Sequence, residues 1–325
     1  MDPTKPARVN PDRIFEAIIN QGASSMFASP ALMNRIARYG NEKGVKLPSL
    51  KRVISAGAPV SPSVLEDFSK ILPVDAEIQT PYGATEAVPI ISITAKEIAE
   101  DTRQQSEMGY GTCIGYPIND IDIKIIKITD DPIQNWSEDL ALQRGNIGEI
   151  TVKGSLVSRQ YFANPQADAL AKIKDGNEIW HRMGDLGWQD RKGRYWFCGR
   201  KNHRVITAEI TLFSVPCEAI FNNHPQVFRS ALVGVGPKER QKPLICIELQ
   251  KTDNDKSKNE IQAELLKLAA KNELTKHIKT ILFHRAFPVD IRHNAKIFRE
   301  KLAIWAGKKL KRGFTNLSGD EERRQ

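Results

Sequence analysis

Along the first eighty residues the apolar positions recur in two rhythms. Ile14, Phe15, Ile18 and Ile19 fall three to four apart, which predicts one buried face of a helix, and Pro30 stands where a second helix would begin. Between and after them, Ser25 to Ala28 and Arg52 to Ser55 are short runs of strand type. The second of these passes into Ala56-Gly57-Ala58-Pro59. Ser61-Pro62-Ser63 ahead of Val64-Leu65 reads as a helix N-cap, and Glu77 to Thr80 predicts a further strand that ends at Pro81-Tyr82-Gly83. Strands alternating with helices predict a parallel sheet; the opening dozen residues, rich in proline and polar groups, read as a loop.

After about Gly115 the rhythm changes to two. Asp120 to Ile125 alternates as a half-buried strand does, Gly148 to Gly154 repeats the style, and Gly193 to Phe197 predicts a third strand after a turn. This stretch reads as antiparallel, in the manner of a small barrel. From about Gly199 the pattern is that of a small α+β module: a helix at Val215–Asn222, strands at Ala231–Val235 and Leu244–Leu249, a charged loop at Lys251–Lys258, a helix at Glu260–Lys271, a strand near Ile281 and a last helix near Phe298–Ala306. Residues after Gly313 read as disordered. The expected organisation is 1–198, 199–313 and a charged tail at 314–325.

Composition narrows the class. With 40% hydrophobic and 27% charged residues over 325 positions, the chain has the make-up of a globular protein of two domains. No apolar run approaches the ~18 residues that cross a bilayer, and Met1 to Pro6 lacks a signal-peptide core, so a cytoplasmic protein is expected. Cys113, Cys198, Cys217 and Cys246 form no Cys-x-x-Cys pair and have no histidine at ligand spacing, so they read as buried thiols. The net charge of +9 owes much to Lys308-Lys309-Leu310-Lys311-Arg312, which reads first as a solvated face. No basic stripe interleaved with aromatics points to nucleic acid.

Four segments carry candidate chemistry. Gly57-Ala58-Pro59 follows a strand, where open α/β sheets bind ligands, although taken alone the segment reads first as a plain tight turn. Tyr82-Gly83-Ala84-Thr85-Glu86 offers a ring for a purine, a hydroxyl for a phosphate and a hard carboxylate oxygen for Mg²⁺; a helix start is the alternative. Asp185, between Gly184 and Leu186-Gly187, suits a carboxylate that accepts from a ribose diol, with a hairpin turn as the alternative. Gly199-Arg200-Lys201 and, far downstream, Asn294 to Arg299 with Lys296 supply cations for a nucleotide phosphate.

In order and spacing these segments resemble the superfamily of acyl-CoA synthetases, peptide-synthetase adenylation domains and luciferases, over nearly the whole chain. Tyr82 to Glu86 is similar to that family's Tyr-Gly-x-Thr-Glu motif, Asp185 to its Gly-Asp motif, Gly199-Arg200 to its hinge motif and Lys296 to its C-terminal lysine motif. Leu47 to Val60, Trp196 to Lys201 and Val289 to Lys296 further resemble the β-lactone synthetases of olefin biosynthesis. The resemblance implies a partial adenylation-enzyme large domain, a parallel sheet plus a small β-barrel, followed by a mobile α+β domain. It implies ATP and Mg²⁺ as cofactors and a long-chain fatty or 3-hydroxy fatty acid as substrate, adenylated and then closed to a β-lactone. Fatty acyl-CoA synthesis, or an inactive fragment serving as an interaction module, are the alternatives.

The implied roles are residue by residue. Gly57, Ala58, Pro59, Tyr82 and Gly83 line the adenine site, Asp185 and Arg200 hold the ribose, Thr85 and Glu86 handle phosphate and metal, Lys296 is the catalytic cation, and Arg200, Lys201 and Asn202 form the hinge. Departures are informative. No Ser/Thr/Gly-rich phosphate loop lies upstream of Tyr82, and the family's N-terminal subdomain has no counterpart, so a separate N-terminal half is an expected partner. Asn202 replaces the usual hinge Asp or Lys. Ile206 and Glu209 stand where acyl-CoA synthetases have Lys and Gly, which favours lactone closure.

Overall fold

The computed structural model describes residues 9–250, 256–290 and 296–321, with side chains described as far as Lys311. It divides into two compact units, one of residues 1–106, 111–201 and 290–296, the other of 107–110, 202–289 and 297–325.

The first unit opens with α1 (Pro11–Gln21), β1 (Ser25–Ala28), α2 (Pro30–Lys43), β2 (Arg52–Ser55), α3 (Pro62–Ser69) and β3 (Glu77–Gln79). Each helix starts on a side-chain cap followed by proline: Asn10, Ser29 and Ser61 accept from the backbone one turn in. The strands pair in parallel in the order β1-β2-β3. One face of this sheet, with Ala28, Val53 and Ile78, packs on Phe15, Met33, Ile36, Leu65 and Phe68 from the helices. The alternate positions point the other way, and there Phe27 is 68% exposed. Parallel sheets ordinarily have both faces covered.

The chain then enters antiparallel structure. β4 (Tyr82–Ala84) and β5 (Ala87–Ser92) form a hairpin, followed by α4 (Ala95–Glu97), one π-helical turn, α5 (Arg103–Glu107), β6 (Thr112–Pro117), β7 (Ile121–Ile126), β8 (Gly148–Gly154), α6 (Pro165–Ala171), β9 (Lys172–Asp175), β10 (Glu178–Gln189) and β11 (Tyr195–Arg200). The strands run in the order β4-β5-β6-β11-β10-β8-β7, with β9 on β10. The ends of that path are not paired with each other among the described residues. Even so, Ile90, Ile91, Ile114, Ile123, Ile150 and Met183 from several strands meet in one apolar cluster, as inside a small barrel whose ring is left open.

The second unit holds the short pair β12 (Val205–Ile206) and β13 (Thr211–Leu212), then α7 (Ser214–Asn222), β14 (Val227–Val235), β15 (Lys242–Leu249), α8 (Lys258–Ala270), β16 (Ile281–Phe283) and α9 (Arg299–Glu321). β14 and β15 are antiparallel, and β15 and β16 parallel. Alternation along β14 sends Leu232 to the α7–α8 side with Phe221 and Leu265. It sends Ala231 and Val233 to the α9 side with Leu302 and Ala306. Beyond Gly313, where disorder was expected, the helix that starts at Arg299 continues as far as Glu321, and no proline interrupts the run. The charged loop's residues 251–255 and residues 1–8 lie outside the described residues. Among the described residues no helix is long and apolar enough to cross a membrane.

Candidate active site

Tyr82-Gly83-Ala84-Thr85-Glu86 begins no helix. The β4–β5 hairpin uses Thr85 and Glu86 as its two-residue turn, with Ala84 opposite Ala87. Gly83 fits because a Cβ there would come within 2.6 Å of the Ala87 carbonyl oxygen. Asp185 is likewise no hairpin turn. It lies inside the long β10, just after Gly184 at φ +66°, where the pairing with β8 slips between Arg182 and Leu186. Its partner across the sheet on β11 is Arg200.

These strands bring three of the sequence candidates together. Tyr82 donates its hydroxyl to Asp185 Oδ2 at 2.6 Å, and Arg200 Nε lies 3.1 Å from Oδ1 as an ion pair. The angle of that pair does not make a hydrogen bond, and buried Oδ1 has no hydrogen-bond partner among the described residues. Asp185 is 4% exposed. Burial raises its pKa, with Arg200 and Tyr82 pulling the other way. Burial, then the Asp185 charge, holds the Tyr82 phenol well above its ordinary value. The Tyr82 ring packs obliquely on Phe197, 6.1 Å between centroids.

Glu86 sits at the hairpin tip and accepts the Tyr161 hydroxyl on Oε1 at 2.8 Å. Burial alone would raise its pKa, but the Tyr161 hydrogen bond and its own backbone N–H outweigh burial, so the carboxyl lies below its ordinary value and is ionised at neutral pH. Thr85 beside it is exposed. Around Glu86 stand Lys172 and His181, opposite each other on β9 and β10. Burial lowers Lys172 against the pull of Glu86 and Asp168. Burial and then Lys172 take His181 down to about 4.

Gly57, Ala58 and Pro59 follow β2, the central strand of the parallel sheet, with Gly57 exposed at φ +94°. Among the described residues no hydrogen bond joins this turn to the Tyr82 cluster. Lys296 is exposed, and its carbonyl accepts the Asp290 N–H at 2.9 Å; residues 291–295 of its motif lie outside the described residues. Of the three expected hinge residues, Arg200 ends β11, Lys201 is the last residue of the first unit's 111–201 segment and Asn202 the first of the second unit's 202–289 segment. Lys201 is pinned: its ammonium lies 3.0 Å from Oε1 of buried Glu149, whose Oε2 accepts two bonds from Arg182. A cavity of about 730 Å³ beside α3 is lined by Leu65, Lys70 and Thr94 and by none of the candidate residues.

Tyr161, Lys172 and Glu149 escaped the sequence reading because each acts on a partner far along the chain. Tyr161 is 75 residues from Glu86, and no local periodicity announces such a bond.

The residues present fit a nucleoside in part. An orphaned buried carboxylate oxygen suits a ribose hydroxyl donor, and Glu86 offers a hard ligand. No cluster of three or more His, Cys, Asp or Glu that could hold a metal by itself occurs among the described residues; a Mg²⁺ held by Glu86 would need further ligands such as phosphate oxygens and water.

Comparison with known proteins bears on the family of the chain. The family model "AMP-binding enzyme" matches residues 1–162. An olefin beta-lactone synthetase of Stenotrophomonas maltophilia is 45% identical over 96% of this chain and 56% of its own length. The mitochondrial medium-chain acyl-CoA ligase of Bos taurus is 23% identical over 89% of this chain and 43% of its own. Among solved structures, the O-succinylbenzoate coenzyme A synthetase of Bacillus subtilis, in complex with ATP and a magnesium ion, superimposes with a TM-score of 0.67 at 19% identity, covering 91% of this chain and 54% of that one. The chain thus spans about half the length of the curated relatives it matches. On the family-model match and the 45% identity with a relative, the chain belongs to the AMP-binding enzyme family of adenylate-forming synthetases.

Proposed function

We propose that this chain is the part of an ATP-dependent synthetase that holds the nucleoside, activates a long-chain 3-hydroxy fatty acid as its acyl adenylate and closes it to a β-lactone. The observation that carries the reading is the Tyr82–Asp185–Arg200 cluster. It is a buried carboxylate, oriented from two sides, with one oxygen still open to a donor.

In this reading a substrate carboxylate oxygen attacks the α-phosphorus of ATP and pyrophosphate leaves. Asp185 accepts from the ribose hydroxyls beside Arg200, and Gly57 to Pro59 admit the flat base close to the backbone. Thr85 donates to a phosphate oxygen, and ionised Glu86 holds the metal. When bound, Mg²⁺ offsets charge on the phosphates. Lys296 neutralises the charge that builds on the carboxylate and α-phosphate. Arg200 to Asn202 act as the hinge about which the second unit turns. The substrate's own 3-hydroxyl then attacks the acyl carbonyl, its proton is lost and AMP departs, with no coenzyme A consumed. The 45% identity with a beta-lactone synthetase against 23% with an acyl-CoA ligase supports lactone closure. So do Ile206 and Glu209 in place of Lys and Gly.

Half-length coverage and the open sheet face at Phe27 support a further element of the reading: an upstream half supplies the phosphate loop and covers that face. The test is release of AMP and pyrophosphate from ATP with a long 3-hydroxy acid and no coenzyme A. It is run on the chain alone and then with the upstream half added. Turnover giving the acid less water supports the proposal. A product that forms only with coenzyme A turns the reading to an acyl-CoA ligase, and no turnover in both arms sinks the catalytic reading.

A further inference from the structure

The hairpin that carries Glu86 is fastened from outside by the loop between β8 and α6. Ser158 donates its N–H to the Glu86 carbonyl at 2.8 Å, and Tyr161 donates its hydroxyl to Glu86 Oε1 at 2.8 Å. Tyr161 is itself held in place. Its N–H donates to Asp168 Oδ1 at 2.8 Å, on a helix whose first turn is capped by Asn164. The ammonium of Lys172, buried at 8% exposure, lies 5.2 Å from the Tyr161 ring centroid and donates to the Ser158 carbonyl and, at 3.1 Å, to Ser158 Oγ.

We propose that Tyr161 is a positioning residue, orienting the Glu86 carboxylate for a divalent cation by occupying Oε1 and leaving Oε2 to the metal. The proposal rests on the reading of Glu86 as the metal-holding carboxylate. A glutamate at a hairpin tip has two methylenes to freeze before it can bind a cation. A hydrogen bond already made to a fixed phenol removes part of that entropic cost beforehand. Partners one bond removed from a metal ligand typically matter by 10–100-fold in affinity. Lys172 and Ser158 tie the same loop to the hairpin backbone, so the phenol and the carboxylate are held at both ends.

The experiment titrates the full chain, with the upstream half added, with Mn²⁺ in the presence of ATP, reading free Mn²⁺ by electron paramagnetic resonance against a protein-free Mn²⁺–ATP blank, for the unaltered protein, Tyr161→Phe and Glu86→Gln. Tyr161→Phe, which keeps the ring beneath Lys172, is expected to weaken Mn²⁺ about tenfold with the melting temperature unchanged. Glu86→Gln is expected to abolish the tight site. Unaltered Mn²⁺ affinity in Tyr161→Phe, or a lowered melting temperature in its place, overturns the positioning role while the reading of Glu86 stands. Unaltered affinity in Glu86→Gln, or no Mn²⁺ uptake by the unaltered chain with the upstream half present, overturns that reading and the proposal with it.

Discussion

At Asp185 a single carboxylate is asked to stay charged where burial disfavours charge. Arg200 and the Tyr82 hydroxyl offset that cost from two sides. Hydrogen bonds to a charged group contribute about 1.5–3 kcal/mol each, so Asp185→Ala is expected to weaken AMP binding at least about tenfold in equilibrium dialysis; unchanged affinity would remove Asp185 from the nucleotide site. His181 gives a pH signature. Its folded pKa of about 4 lies below the ordinary 6.5, so the unfolded chain binds more protons between these values. Stability is therefore complete above pH 6.5 and falls as the pH drops toward 4, by roughly 3 kcal/mol at most at 1.36 kcal/mol per unit. Urea midpoints measured at pH 7.5, 5.5 and 4.5 should show that slope, and His181→Phe should flatten it.

Among the elements, β8, β10 and the turn after β11 are pinned by one buried group. Glu149 takes two bonds from Arg182 and the ammonium of Lys201, while Arg182 also donates to the Thr129 and Asp131 carbonyls. Removing one partner of a buried pair strands a charge, so Arg182→Met is expected to cost about 3 kcal/mol, softened by Lys201, in chemical denaturation. How far such elements could be read in the sequence depended on the range of their interactions. Arg52 to Ser55 was legible as a strand because its apolar run and the following glycine turn are local. β10 was harder: Gly184-Asp185 has the composition of a turn, and only pairing with β8 and β11 on either side draws it into a twelve-residue strand. The motif residues were legible one by one. The bonds that join Tyr82 to Asp185, 103 residues on, and Glu86 to Tyr161 were not, because no local pattern records a partner so far away.

For the whole molecule, two units each enclose their own apolar clusters, and the first leaves one sheet face uncovered at Phe27. The cysteines divide evenly between the units: Cys113 and Cys198 in the first, Cys217 and Cys246 in the second, all buried. Burial pushes Cys113, Cys217 and Cys246 up to about 12. The thiolate is the nucleophile that attacks an alkylating reagent, so in the native protein these sulfurs are out of reach in both space and charge. Each unit therefore carries a built-in clock. Alkylation followed by peptide mass mapping should find all four silent under native conditions. In graded denaturant, the order in which the two pairs become labelled should tell which unit opens first, without any added probe.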